Sequence, residues 1–141
     1  MKNIHVKTDA SFKRDIGYSV AYYCEVVHNG HLKYDFSDSN FFDRNIKSTD
    51  AEVMAVGYAI IQTFKNMGGR VSDYRIIIET DSKHAVNVYE DMKINKKLKD
   101  VIQALLDKFI DWNIRWISRD LNMKADGLAK IEIRRAEDEL G

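Results

Sequence analysis

The sequence contains no proline and only one cysteine, and its charges cancel, with 22 Lys plus Arg against 22 Asp plus Glu. A lone cysteine, Cys24, cannot close an internal disulfide, which fits a protein of a reducing, cytoplasmic setting. No run approaches ~18 consecutive apolar residues, so no membrane-spanning helix and no membrane partner are expected. The opening Met1-Lys2-Asn3-Ile4-His5 lacks the apolar run of a secretory leader, and none is expected. A formal charge of zero lacks the basic excess common in nucleic-acid binders, although balance says nothing about distribution. No repeat, low-complexity tract or Ser/Pro-rich linker divides the 141 residues. They are read as one monomeric domain, long enough to bury a core without disulfides or metals as staples. The absence of proline carries no functional reading.

What is present is ordinary for a globular chain: 45% hydrophobic and 31% charged residues. Ile4, Val6 and Thr8 alternate with His5, Lys7 and Asp9, the period of a strand. The aromatic and β-branched run Gly17–Val27 reads as a second strand. Asn29-Gly30 marks a hairpin turn, so Leu32–Ser37 is expected to run back antiparallel. The period then changes. Val53, Val56, Ile60, Phe64 and Met67 recur every three or four residues beside a small-residue row of Ala51, Ala55 and Ala59, and Gly68-Gly69 closes the helix. Arg75–Glu79 is a short apolar strand. Helices follow over about Ser82–Glu90 and Asn95–Phe109, then a strand over Asn113–Ile117 and a last helix from near Leu121 to about Glu139. A meander of three antiparallel strands followed by two helix-linked strands implies an α/β fold, a five-stranded mixed sheet flanked by helices.

Four of the acids stand at special places. Asp9 lies inside a strand, where Asp is disfavoured. Asp81 follows the carboxyl end of the Ile76–Ile78 strand, where α/β sheets bind ligands. Glu52 falls in the first turn of the first long helix and Asp126 about one turn into the last. Three have a purely structural alternative: a capping box of Thr49 with Glu52, a cap at Asp81, a favourable helix-end charge at Asp126; Asp9 is the hardest to excuse, because an acid in a strand gains little structurally. Glu79 and Asp15 are further acids that position alone does not separate from the four. Together, the four carboxylates would need cations to offset their repulsion. Oxygen ligands suit Mg²⁺ or Mn²⁺, and no Cys/His cluster offers a zinc site. The chemistry such a cluster serves is phosphodiester cleavage at two metal ions.

Four motifs resemble one family. Thr8-Asp9-Ala10-Ser11, Thr49-Asp50-Ala51-Glu52-Val53-Met54-Ala55, Ile77-Ile78-Glu79-Thr80-Asp81-Ser82-Lys83 and the stretch Trp116–Ala129, with its Asn122, Ala125-Asp126 and Leu128-Ala129, resemble in order the signatures of type 1 ribonuclease H. The resemblance spans residues 8–129 and is to the compact form without a basic protrusion. It implies an endonuclease that hydrolyses the RNA strand of an RNA–DNA hybrid, leaving 3′-hydroxyl and 5′-phosphate ends. It implies Asp9, Glu52, Asp81 and Asp126 as catalytic ligands of two Mg²⁺ or Mn²⁺ ions. Ser11, Ser48, Thr49 and Asn122 match family positions at the hybrid, which is read by backbone shape and 2′-hydroxyls.

The departures are specific. Phe12-Lys13-Arg14-Asp15 replaces a Gly-rich loop, Ser48 and Thr49 stand where many members carry asparagines, and the loop before Asp126 has no histidine. Arg119 and Lys124 are the basic residues there to take its place. Lys93, Lys96, Lys97 and Lys99 form the densest basic stretch, read first as a solvated helix face. Lys130 and Arg134 could flank the metal site or form surface ion pairs. Trp112 and Trp116 are assigned to the core ahead of stacking on nucleic acid. Two further functions fit the same residues: a non-catalytic nucleic-acid-binding module, and a nuclease acting mainly on double-stranded RNA.

Overall fold

The computed structural model describes residues 1–140. Three long strands open the chain: β1 (Lys2–Lys13), β2 (Gly17–His28) and β3 (His31–Phe42). Then come α1 (Ser48–Asn66), β4 (Tyr74–Thr80), α2 (Lys83–Glu90), α3 (Lys96–Leu106), β5 (Asp111–Trp116), a 3-10 turn at Arg119–Leu121 and α4 (Met123–Leu140). The sheet order is β3-β2-β1-β4-β5. Neighbours are antiparallel at β1–β2 and β2–β3 and parallel at β1–β4 and β4–β5. This is the mixed sheet expected from the sequence.

Local chemistry explains the elements. Asn29 (φ 55°) and Gly30 (φ 80°) both take the left-handed conformation that a tight two-residue hairpin requires. Strand β3 runs five residues past Ser37, although Asp38, Ser39 and Asn40 are poor strand formers. Tertiary pairing overrides that propensity: Tyr18 faces Phe42 in register, and their rings stack with centroids 5.1 Å apart. Helix α1 turns Val56, Ala59 and Ile60 onto Ile4, Val6, Ile76 and Ile78. Burying each of these large aliphatic side chains stabilises the fold by roughly 1.5–3 kcal/mol. Gly57 lets α1 and α2 approach closely, since a Cβ there would stand 3.0 Å from the Tyr89 hydroxyl. That hydroxyl donates to the Val53 carbonyl at 2.9 Å.

The pleat divides the sheet's two faces. Val20 packs with Ala51 and Ala55 of α1, while the preceding Ser19 donates its hydroxyl to the Ala129 carbonyl of α4. Successive strand side chains point to opposite faces, so α1 and α4 sandwich β1 and β2. Asp9 therefore lies between two neighbours, Thr8 and Ala10, that point the other way, with α4 on its own side. The last helix does not run unbroken from Leu121. The chain first makes the 3-10 turn, and Asn122 then sends its side chain into the interior before α4 begins.

Candidate active site

The carboxyl ends of β1 and β4 and the first turns of α1 and α4 meet around an open cleft of about 410 Å³. Asp9, Glu52, Asp81 and Asp126 all line it. Asp9 reaches it from β1, where it is only 3% exposed. Glu52 reaches it from α1 and is held by the Ala10 amide, which donates to its Oε1 at 3.1 Å. Thus Glu52 is not part of a capping box; α1 has Lys47 at its cap and no side-chain cap bond. Nor does Asp81 cap α2, because the Ser82 hydroxyl does so by accepting from the Ala85 amide at 3.1 Å. Both acids are free for the cleft.

One carboxylate oxygen each from Asp9, Glu52 and Asp81 lies within 4.8 Å of the others. Among the described residues no basic side chain forms an ion pair with any of these three. Like charges so close, without a cation, favour the protonated form. Burial pushes Asp9 up to about 9, and the charge on Glu52, a hydrogen bond with Asp126 and the charge on Asp81 act the same way. Burial also lifts Glu52 to about 7, against the hydrogen bonds it shares with Asp9 and the Ala10 amide. Its buried Oε2 has no hydrogen-bond partner. A part-buried, oxygen-only set with an unpartnered acceptor is the environment that a hard divalent cation satisfies.

Asp126 differs from the other three. Its carboxylate lies 3.0 Å from the Lys130 ammonium, one turn further along α4. Burial works to raise its pKa, but hydrogen bonds with Asp9 and Lys130 and the Lys130 charge hold it below the ordinary carboxylate value. Arg119 lines the same wall and stabilises the charged forms of Glu52 and Asp126.

Ser11, Ser48 and Thr49 line the cleft beside the acids. Two other residues read as meeting the hybrid, Asn122 by the resemblance and Lys124 as a stand-in for the missing histidine, are not among those lining the cleft. Asn122 is fully buried and donates its amide to the Thr8 carbonyl at 2.8 Å, tying the α4 entry to β1. Lys124 points away from the cleft, its ammonium 4.2 Å from the Tyr23 ring centroid. Of the two basic residues in the loop, only Arg119 faces the acids. Glu79 is not among the residues lining the cleft and pairs with Arg115 at 2.9 Å, and Asp15 sits in the β1–β2 turn at φ 66°. Sequence reasoning missed Phe12 and Ser82 as lining residues. The available signal was their adjacency to Ser11 and Asp81 on the same strand ends.

A family model described as reverse transcriptase-like matches residues 7–131. The chain belongs to the reverse transcriptase-like family. No curated protein matches the sequence significantly. Among solved structures, RNase H1 of the archaeon Halobacterium salinarum aligns with a TM-score of 0.72 at 19% identity, over 94% of this chain and 98% of that one. The N-terminal RNase H domain of a Mycobacterium tuberculosis protein aligns at 0.70 and 19%, over 99% of both chains. LC11-RNase H1, solved in complex with an RNA/DNA hybrid, aligns at 0.71 and 18%, over 94% and 98%. This reverse transcriptase-like chain thus has the type 1 RNase H fold from end to end.

Proposed function

We propose that this protein is a divalent-metal-dependent endonuclease that hydrolyses the RNA strand of RNA–DNA hybrids. The observation that carries the reading is the meeting of Asp9, Glu52 and Asp81 within 4.8 Å, unpaired with any cation, in the cleft of a reverse transcriptase-like fold. LC11-RNase H1, which shares that fold, was captured on an RNA/DNA hybrid. A pure binder gains nothing from three unneutralised carboxylates facing a phosphate strand.

Asp9, Glu52 and Asp81 would hold one Mg²⁺ or Mn²⁺ ion, and Asp9 with Asp126 would hold a second. Such ions supply an activated water and stabilise the oxygen that departs. The residues of the chain divide the remaining work. Asp9 is near Glu52 and Asp81 as well as Asp126 and would be the ligand common to both positions. Lys130 would compete with a second ion for Asp126, and its ammonium, if displaced, would be placed to meet a phosphate oxygen. Arg119 offers a planar fork of donors to the same phosphate. The hydroxyls of Ser11, Ser48 and Thr49 can pair with 2′-hydroxyls and phosphates, which identify an A-like duplex without reading bases. Ser48 and Thr49 occupy the first turn of α1, where unpaired amide N–H groups favour an anion. Attack of water on phosphorus with departure of the 3′-oxygen leaves a 5′-phosphate and a 3′-hydroxyl.

Substitution Asp81→Asn tests the assignment, because it removes a ligand charge with little change of shape. The expected outcome is a protein with wild-type circular dichroism and no hybrid cleavage. Wild-type cleavage by a folded Asp81→Asn protein would remove Asp81 from the site.

A further inference from the structure

The two tryptophans have opposite fates. Trp112 is half-buried against the main core, as the sequence suggests. Trp116, four residues along the same edge strand, is 47% exposed. Yet it is not free to rotate. Its indole Nε1 donates to the Asp81 carbonyl at 3.1 Å. The Lys83 ammonium lies over its ring, 5.1 Å from the centroid. An exposed indole is thereby fixed beside Asp81, with Ser82 and Arg119 on the neighbouring rim of the cleft.

We propose that Trp116 and Lys83 form a stacking platform for an unpaired nucleotide of the strand that occupies the carboxylate cleft. The inference rests on the reading of that cleft as a nucleic-acid site, and adds a second, single-stranded subsite to it. Trp116 has the chemistry of a base acceptor: a broad π-face that takes any base, already oriented, so little side-chain entropy is lost on binding. Lys83 supplies the adjoining charge. In the free protein its ammonium rests on the ring by cation–π attraction. An arriving base takes over the ring face, and the ammonium moves to the flanking phosphate. The occupant is an unpaired nucleotide because bases inside a duplex have both faces covered by their neighbours. It is assigned to the cut strand because the ring is bonded to Asp81, an acid that would face that strand's phosphate. The protein would therefore favour hybrids whose RNA strand continues as a single-stranded tail.

The test compares binding of a blunt RNA–DNA hybrid with hybrids carrying a short RNA tail at either end, or a DNA tail on the other strand. Fluorescence anisotropy in EDTA reads affinity without cleavage. The expected result is a gain of roughly five-fold or more from one of the RNA tails, the size of a single stacked base. Trp116→Phe should keep most of the gain and Trp116→Leu should abolish it. Lys83→Ala should reduce the gain and flatten its salt dependence. Should Trp116→Leu fail to fold, emission of the folded Trp112→Phe protein reports Trp116 alone, and tailed but not blunt hybrid should quench it. Equal affinities for blunt and RNA-tailed hybrids would overturn the platform and leave the nuclease reading standing. So would a gain confined to DNA tails. Failure to bind any hybrid, both in EDTA and by the cleavage-deficient Asp81→Asn protein in Mg²⁺, would overturn both.

Discussion

Lys130 holds the carboxylate of Asp126 at 3.0 Å while Asp9, Glu52 and Asp81 share no basic partner. One side chain thus occupies the acid that a second cation would need. The Lys130 side chain is about half exposed, so its ion pair is worth only ~0.2–1 kcal/mol after solvent screening. Replacing Lys130 with Ala should tighten the weaker of two Mn²⁺ binding steps by about two- to five-fold. Calorimetric titration with Mn²⁺ checks this, and an unchanged second step would mean that Lys130 does not compete for the site.

Stability without metal should fall as pH rises. A group whose carboxyl is raised to about 9 in the folded protein, from an ordinary value near 3.8, keeps its proton when folded and loses it when unfolded. The native state then binds more protons between those values, so rising pH favours unfolding across that window. Glu52, raised to about 7, adds the same sign over a narrower range. A bound Mg²⁺ or Mn²⁺ ion would displace these protons and remove the penalty. The increase in Tm on adding Mn²⁺ should therefore grow from pH 5 to pH 9. Thermal melts with and without Mn²⁺ measure it, and a pH-independent increment would contradict the clustering of these acids.

Asp9→Asn should separate stability from function. The amide imitates the protonated acid and removes the repulsion around it. At pH 8 in EDTA the variant should be more stable than wild type, by on the order of 1–3 kcal/mol, while losing Mn²⁺ binding. Denaturant unfolding of both proteins supplies the comparison.

Asn122 is a structural tie. Removing its amide leaves the Thr8 carbonyl buried without its partner and loosens the chain entering α4. Asn122→Ala should cost about 1–3 kcal/mol of stability. Lys124→Ala, by contrast, should change hybrid affinity less than two-fold, since its ammonium rests on Tyr23 away from the cleft. Arg119→Ala should weaken hybrid binding and lower turnover together. Parallel measurements of KM and kcat for Lys124→Ala and Arg119→Ala distinguish the two sides of the loop.

The order of elements and the mixed sheet were legible because alternation, the Asn29-Gly30 turn and the switch to helical period at Val53 each have one dominant structural solution. The length of β3 was not, because Asp38–Asn40 are strand-averse residues held by pairing with β2, a tertiary effect. The placement of the four acids at strand and helix ends was readable from spacing. Their division into three unpaired carboxylates and one held by Lys130 was not, since an i, i+4 pair on a helix looks the same whether it faces solvent or a cleft. Asn122 and Lys124 were drawn toward the substrate by motif position alone. Their side-chain directions depend on the 3-10 turn, which turns one inward and the other onto Tyr23. Trp116 likewise reads as core until the edge of the sheet is seen to end there.

The most direct test is cleavage of an end-labelled RNA–DNA hybrid by purified protein in Mg²⁺, in Mn²⁺ and in EDTA, beside Asp9→Asn, with double-stranded RNA as a second substrate. The expected result is metal-dependent cutting of the RNA strand of the hybrid, leaving 5′-phosphate ends, and none by the folded variant. Intact hybrid after incubation of well-folded wild-type protein with either metal would contradict the nuclease assignment, and cutting of double-stranded RNA alone would contradict the substrate.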